Sequence, residues 1–200
     1  MDADVVIIGA GVAGLNAARV VKRSGVTPVV LESSQEIGGR VRTELVDGFT
    51  VDVGFQVLNP AYPALRKAVD LGELGLRSFG RGVCARTDSR LIEIIDPSRA
   101  PWRGAAAARL AARDPRAVGR LALWLGDRGG ADATLGESLD KAKVHGFWRS
   151  LLEEFLAGVI GDDSGSTSAS FTRGLVGWFL LGTPGLPAQG MAALPAHLAE

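Results

Sequence analysis

Three glycines near the start of the chain, Gly9, Gly11 and Gly14, have the spacing G-x-G-x-x-G, with Val12 and Ala13 between the last two. In this motif the first glycine permits a tight turn, the second lets a pyrophosphate approach the backbone, and the third lets a helix pack closely on a strand. The N-terminus of the helix that follows offers free N–H groups and a positive dipole end to phosphates. We therefore expect these five residues to bind the pyrophosphate of a dinucleotide.

One acidic residue, Glu32, follows the glycine motif at the separation of about 20 residues at which dinucleotide-binding proteins carry a carboxylate. A carboxylate there accepts hydrogen bonds from ribose hydroxyls and repels a 2′-phosphate. The alternative interpretation is an ordinary glycine turn with a surface glutamate. The strand, the helix and Glu32 in their required order favour the dinucleotide site.

The elements that must hold these residues form a predicted βαβ unit. Residues 5–8 are a continuous apolar run, as expected of a parallel strand buried on both faces, and residues 29–32 are a second strand. Between them, residues 15–24 show a helical pattern, and Gly25 occupies the position after a helix where glycine is favoured. The order and length of these elements predict an α/β fold with a Rossmann-like unit.

A hairpin and then a mostly helical region are predicted after this unit. Asp47-Gly48 separates the strand-like runs 41–46 and 49–53, and Asp-Gly is a strong hairpin signal. The later pattern is mainly helical, with one more strand at 91–95. Asp114-Pro115 predicts a helix start, and Thr134 with Glu137 predicts a capping box. Residues 147–160 show a broad apolar helix face, and residues 171–181 are one more predicted helix.

The charge, the hydropathy and the cysteine content exclude several classes of partner. With 22 basic and 22 acidic residues and a net charge of 0, nothing favours binding to nucleic acid. No apolar run approaches the roughly 20 residues that a membrane-spanning helix needs, and the N-terminus lacks the basic segment of a signal peptide. A single cysteine excludes an internal disulfide and suits a reducing compartment. We expect a cytoplasmic protein without a transmembrane segment.

The histidines and the cysteine do not form a predicted metal site. His145 and His197 are isolated, with no second ligand in register, so no metal is expected. Cys84 lies in a predicted strand, where we expect a small buried side chain.

A second glycine pair, Gly38-Gly39, is followed at once by Arg40. An arginine at this place can reach a pyrophosphate in a bidentate way, and Gly39 lets the backbone come close to it. Arg42 has two interpretations, as a second phosphate contact or as a solvated strand residue. The first glycine motif and Glu32 fit NAD and FAD equally, and the second glycine pair with its arginine favours FAD.

Two stretches of the sequence resemble the flavin-containing amine oxidase superfamily, which includes monoamine oxidases, protoporphyrinogen oxidases and phytoene desaturases. They are VVIIGAGVAGLNAARVVKRSGVTPVVLESSQEIGGRVRTE and DGFTVDVGFQVLNPAYP. The resemblance implies that FAD is the cofactor and that Arg40 is a ligand of its diphosphate. It further implies that Gly54, Phe55 and Gln56 line the pocket of the flavin ring.

The resemblance also implies a domain organisation. Residues 1–60 would form the N-terminal part of an FAD-binding domain, residues 61–185 a mostly helical substrate domain with some strand, and residues 186–200 an incomplete return towards the FAD domain. The last segment resembles a Pro-x-Gly-Gly-Met pattern of the family, with Gln189 in place of the first glycine. Members of the family are more than twice as long and have a second FAD-binding segment near their C-terminus. We therefore expect a truncated chain or one half of a split protein, and we assign no catalytic residue.

The function that the resemblance implies is that of an FAD-dependent oxidoreductase. The flavin would accept a hydride from an apolar or amine-bearing small molecule, and O₂ or a quinone would reoxidise it. Two alternatives remain at this point: an NAD-dependent dehydrogenase, and a non-catalytic FAD-binding subunit that needs a partner chain. The sequence specifies neither the substrate nor the oligomeric state.

Overall fold

The computed structural model describes residues 3–54, 56–80, 82–86, 91–95, 104–129 and 131–200. In chain order, its elements are β1 (Val5–Ile8), α1 (Val12–Arg23), β2 (Pro28–Leu31), β3 (Thr43–Val46), β4 (Phe49–Asp52), α2 (Pro63–Ala68), β5 (Leu76–Ser78), β6 (Gly82–Arg86), β7 (Leu91–Ile95), α3 (Ala105–Arg113), α4 (Pro115–Gly126), α5 (Leu135–Lys141), α6 (Gly146–Ile160), α7 (Ala169–Leu181), β8 (Gly185–Pro187) and α8 (Ala193–Ala199). None of the described helices is long and apolar enough to cross a lipid bilayer.

The chain divides into two compact units. The first contains Met1–Phe79 and Gly182–Glu200, and the second contains Gly80–Leu181. The predicted boundaries lay at residues 60–61 and 185–186. The first compact unit also includes residues 61–79 and 182–185, because β5 pairs with β8 in antiparallel register and Leu58 forms a bridge with Gly185. The roles assigned to the predicted domains stay predictions.

In the first unit, β1, α1 and β2 form the predicted βαβ arrangement. The two strands are parallel, in register from Val5 opposite Pro28 to Ile8 opposite Leu31. Helix α1 begins three residues earlier than predicted because Gly11 already accepts the first helical hydrogen bond, from the N–H of Leu15 at 2.9 Å. After the helix, Gly25 has a φ of +80°, as expected at a helix end.

The prediction that β1 is buried on both faces is wrong for the described chain. Helix α1 packs on β1 and β2, but Ile8 is 87% exposed and Leu31 is 54% exposed. The described sheet has only two strands, so one helix suffices to cover a single face.

The core of the first unit joins the two ends of the chain. Its buried side chains come from the glycine loop, from α1, from the segment around α2 and from α8, and they are Ala10, Leu15, Leu58, Val69, Leu74, Met191, Leu194 and Leu198. Helix α8 packs directly on α1. Burial of these apolar side chains therefore fixes the C-terminal segment beside the predicted dinucleotide loop.

The predicted hairpin is confirmed as β3 and β4, with Val46 opposite Phe49 and Thr43 opposite Asp52. The two turn residues, Asp47 and Gly48, have φ values of +50° and +83°. Positive φ at both central positions matches the right-handed twist of the flanking strands, which is why Asp-Gly favours this turn.

The second unit contains the hairpin of β6 and β7 and the helices α3 to α7. The predicted helix starts are confirmed: the Asp114 side chain accepts from the N–H of Ala117, and Thr134 with Glu137 forms a capping box. The expectation of a buried Cys84 is wrong, because Cys84 is exposed on β6 and its neighbour Ala85 faces inward. A strand turns alternate side chains to opposite faces, and the pattern of this short strand did not show which face is inside.

We predict that Asp114→Ala lowers the free energy of unfolding by about 1 kcal/mol, because it removes the N-cap of α4. Urea unfolding monitored by circular dichroism measures this change. Asp163→Ala, which removes an exposed carboxylate from a loop, is the control and should leave the unfolding midpoint within error. An equal midpoint for both variants would contradict the role of the cap.

Candidate dinucleotide site

The glycine loop has the geometry that its three glycines predict. Gly9 has a φ of +96°, and its N–H donates to the carbonyl oxygen of Leu31 at 2.7 Å. A Cβ on Gly14 would overlap the carbonyl oxygen of Gly9, whereas a Cβ on Gly11 would meet no atom within 4 Å. Gly14 is therefore needed for packing, and the space beside Gly11 is open to a ligand.

The first turn of α1 offers its backbone N–H groups to that space. The N–H groups of Val12 and Ala13 have no carbonyl partner within a helix, and no side chain among the described residues caps them. The first turn contains no acidic residue. The positive end of the helix dipole is therefore not neutralised locally, which suits an anionic group such as a pyrophosphate.

Glu32 lies against the glycine loop. Its Oε2 accepts from the N–H of Ala10 at 2.7 Å, and its Oε1 accepts from the N–H and the hydroxyl of Ser34 at 2.9 and 3.0 Å. The hydrogen bonds from the N–H of Ser34 and then of Ala10 lower the pKa of Glu32 from 4.5 to about 2. The carboxylate is therefore ionised at neutral pH, and Oε2 keeps a lone pair for a further donor.

The second glycine pair packs on the first glycine loop. The N–H of Gly38 donates to the carbonyl oxygen of Ala10 at 2.8 Å, and Gly11 and Gly38 form a parallel bridge. Gly38 and Gly39 have φ values of +105° and +59°, so both adopt a conformation that favours glycine. Tertiary contacts thus bring the two motifs together across the sequence that separates them.

An open pocket of about 680 Å³ adjoins the second glycine pair. Its lining consists of two backbone segments and two arginines, namely Gly39, Arg40, Val41, Arg42, Val53 and Gly54. Gly54 lies so close to the carbonyl oxygen of Arg40 that a Cβ would overlap it. The predicted site residues Gly39, Arg40 and Gly54 therefore share one wall.

The two other residues predicted near the flavin ring have different outcomes. Phe55 lies outside the described residues. Gln56 is exposed and donates from Nε2 to the carbonyl oxygen of Asp52 at 3.1 Å. Its role beside a ring stays a prediction.

Arg42 also lines the pocket, and its side chain is held at one end. Its Nη2 pairs with Glu44 Oε1 at 3.0 Å. Its Nε is buried and has no hydrogen-bond partner among the described residues. A buried N–H without an acceptor costs free energy, so the hydrogen-bonding capacity of Arg42 is only partly satisfied within the described residues.

Sequence reasoning missed a polar contact between the hairpin and the C-terminal segment. Asp52 Oδ1 accepts from the Thr43 hydroxyl at 2.5 Å and from the N–H of Met191 at 2.8 Å. Thr43 Oγ1 accepts from the N–H of Ala192 at 2.9 Å. The Asp47-Gly48 turn fixes Thr43 opposite Asp52, so the pairing of these two polar residues was readable from the sequence, but their C-terminal partners were not.

Among the described residues, no group of three or more His, Cys, Asp or Glu side chains is placed to hold a metal ion.

Comparison with known proteins places the chain in a family. Residues 12–200 match the family model described as flavin containing amine oxidoreductase. Putrescine oxidase of Kocuria rosea is 42% identical over 81 residues, which are 40% of this chain and 16% of that protein. The flavin-containing amine oxidase A of Canis lupus familiaris is 36% identical over 105 residues, 51% of this chain and 18% of that protein.

A solved structure shows the same fold over the whole chain. The structure of wild-type putrescine oxidase bound to putrescine has a TM-score of 0.66 and is 21% identical, and the likeness covers 100% of this chain and 49% of that one. The chain thus spans about half the length of this solved relative. The mixed α/β fold is confirmed at this level. Because the family model matches nearly all of the sequence, the chain belongs to the flavin-containing amine oxidoreductase family.

Proposed function

We propose that the first unit binds the ADP part of FAD and that the protein is an FAD-dependent oxidoreductase. The observation that carries this proposal is the position of Ala10 in the first glycine loop. Its backbone N–H and carbonyl groups bind Glu32 and the second glycine pair. Its N–H donates to Glu32 Oε2 at 2.7 Å, and its carbonyl oxygen accepts from the N–H of Gly38 at 2.8 Å. The carboxylate, the glycine loop and the second glycine pair are therefore held together through one residue.

The chemical groups of these motifs match the parts of a dinucleotide. Gly11, Val12 and Ala13 present backbone N–H groups at the N-terminus of α1 for the pyrophosphate. The ionised carboxylate of Glu32 suits the hydroxyls of a ribose and disfavours a 2′-phosphate. Arg40, exposed on the pocket wall, supplies a positive charge for a phosphate. The wider Rossmann-type sheet that such a unit belongs to is part of this proposal.

Arg42 is proposed as a second contact to the cofactor. Because Arg42 lines the pocket, its guanidinium would supply a further positive charge to an anionic group that enters. Glu44 holds one end of the guanidinium and limits the conformational entropy that binding would cost.

The proposed reaction is the oxidation of a small amine. Bound FAD would supply the hydride acceptor, and this chain would bind and orient the cofactor. Relatives named putrescine oxidase and amine oxidase support an amine as the substrate class. No described residue is proposed as the catalytic group, and the proposed small-molecule substrate would be bound by the complete oxidoreductase.

Titration of the purified protein with FAD and, separately, with NAD tests the proposal. We expect quenching of flavin fluorescence with saturation by FAD and no binding of NAD. Binding of NAD without FAD would instead support an NAD-dependent dehydrogenase. Amine turnover that appears only on coexpression with a separate C-terminal half would support a non-catalytic FAD-binding subunit that needs a partner chain.

Arg40→Ala is expected to weaken FAD binding by about 10- to 100-fold, the range of one charge-assisted hydrogen-bonding group. Arg23→Ala, which removes an exposed arginine at the end of α1, is the matched control and should leave the affinity unchanged. The FAD dissociation constants of the two variants and of the unmodified protein are measured at the same ionic strength and compared. Equal affinity of the Arg40→Ala variant and the unmodified protein would refute the phosphate role of Arg40.

A further inference from the structure

We propose that Thr43 and Asp52 are positioning residues for the dinucleotide site, an inference that rests on the proposed function. Together with the backbone of Met191 and Ala192 they form a contact that we call the hairpin clamp. The clamp fixes the segment before α8, and α8 in turn supports the loop of Gly38. Asp52, which belongs neither to the two glycine motifs nor to the Glu32 position, would thereby control the shape of the cofactor site.

The hairpin clamp consists of three hydrogen bonds around one cross-strand pair. Asp52 Oδ1 accepts from the Thr43 hydroxyl and from the N–H of Met191, at 2.5 and 2.8 Å. The Thr43 hydroxyl, which donates a hydrogen bond to Asp52, also accepts one through Oγ1 from the N–H of Ala192 at 2.9 Å. Two N–H groups of the segment directly before α8 are thus satisfied by side chains of the hairpin.

Gly190 permits this close approach. Its φ is +86°, and a Cβ at this position would lie 2.5 Å from Thr43 Cγ2, 2.6 Å from Thr43 Oγ1 and 3.0 Å from Asp52 Oδ1. Gln189, which departs from the family pattern, is exposed, and its φ is not positive. Gly190, the glycine that the contact requires, is therefore present. Position 189, where glutamine replaces glycine, is exposed and tolerates a side chain.

Helix α8 connects the clamp to the second glycine pair, because it follows Ala192 in the chain and packs against Gly38. Pro195 is fully buried, and its Cγ would lie 2.9 Å from a Cβ on Gly38. Leu194 and Leu198 are 6% and 2% exposed and belong to the core beneath the glycine loop. A displacement of α8 would remove the surface on which Gly38 rests.

The hairpin side of the clamp adjoins the pocket directly. Thr43 follows Arg42 in the chain, Asp52 precedes Val53, and the N–H of Val53 donates to the carbonyl oxygen of Arg42 at 2.9 Å. Arg42 and Val53 both line the pocket. The clamp is thus connected to the pocket through the hairpin residues Arg42 and Val53 and to Gly38 through α8.

Two pairs of substitutions test this inference: one pair removes the hydrogen-bond acceptors, and the other keeps an oxygen acceptor in place. Asp52→Ala and Thr43→Val remove the acceptors, whereas Asp52→Asn and Thr43→Ser keep an oxygen in each place. We expect the first two variants to bind FAD about tenfold more weakly, and the two conservative variants to bind within about twofold of the unmodified protein. Asp114→Ala, which removes a carboxylate cap in the second unit, is the control for a loss of stability and should not change the affinity.

Hydrogen exchange measured by mass spectrometry on the same variants, without FAD, gives an independent readout. Asp52→Ala should accelerate exchange in residues 188–195 and also in residues 36–42, while the peptides of α5 remain unchanged. Faster exchange in 188–195 alone would show that the clamp does not support the Gly38 loop, and it would overturn the inference. Unchanged FAD affinity of Asp52→Ala would overturn it as well. If the unmodified protein binds no FAD, the proposed function fails, and exchange in 36–42 still decides whether the clamp positions the loop.

Discussion

Gly14→Ala is expected to abolish measurable FAD binding, with a loss of affinity of at least about 100-fold. The added Cβ would overlap the carbonyl oxygen of Gly9 and would lie 3.4 Å from Ile7 Cγ2. Because the overlapping atom belongs to the backbone, a side-chain rotation cannot relieve the clash. Helix α1 would have to move away from β1, and its first N–H groups would move with it.

The same substitution should destabilise the protein by about 1–3 kcal/mol, the usual cost of an extra methyl group in a closely packed place. Gly119→Ala is the matched control, since a Cβ there meets no atom within 4 Å on the exposed face of α4. That variant should gain about 0.5–1 kcal/mol because alanine favours the helix. FAD titration and urea unfolding of both variants measure the two effects. Normal FAD binding by the Gly14→Ala variant would show that the contact between α1 and β1 is not required.

Glu32→Ala should weaken FAD binding by about 10- to 100-fold, since the carboxylate has two roles in the proposed site. It would accept from a ribose hydroxyl, and it holds the N–H of Ala10 in the glycine loop. Glu32→Gln keeps an acceptor for Ala10 but removes the charge, so we expect an intermediate affinity. Equal affinities of the unmodified protein and of both variants would exclude Glu32 from the site.

The pKa of Glu32 gives this residue a defined pH dependence. Folding lowers the pKa from 4.5 to about 2, so the folded state favours the charged form, and the stabilising contribution is complete above about pH 4.5. It is lost as the pH falls from about 4.5 towards 2. The difference in urea midpoint between the unmodified protein and Glu32→Gln should therefore be constant from pH 7 to 5 and shrink below that. A difference that disappears already near pH 6 would contradict the hydrogen-bonded carboxylate.

Local sequence patterns determined most of the first unit. The apolar runs, the glycine motif and Gly25 predict β1, α1 and β2, and the structure has all three in parallel βαβ order. Asp47-Gly48 predicts the hairpin, which the structure has as β3 and β4. These features depend on backbone conformations and hydrogen bonds within a few residues, which residue type largely controls.

Side-chain exposure was less predictable. Ile8 was expected to be buried and is 87% exposed, and Cys84 was expected to be buried and faces solvent. A strand pattern shows which residues alternate or are apolar, but the covering element decides which face is inside. That element is distant in sequence, so residue type in the strand does not reveal it.

The sequence by itself determined the glycine motifs, Glu32, Arg40 and the resemblance to a flavin family, since each is carried by residue types at short spacing. Only the tertiary structure decided that Ala10 joins Glu32 to Gly38 and that Asp52 holds Met191. The last contact spans 139 residues, and that between Thr43 and Ala192 spans 149. Contacts of this kind form because burial of the shared core brings α8 against α1, and no periodicity or motif within either segment encodes the partner that the core selects.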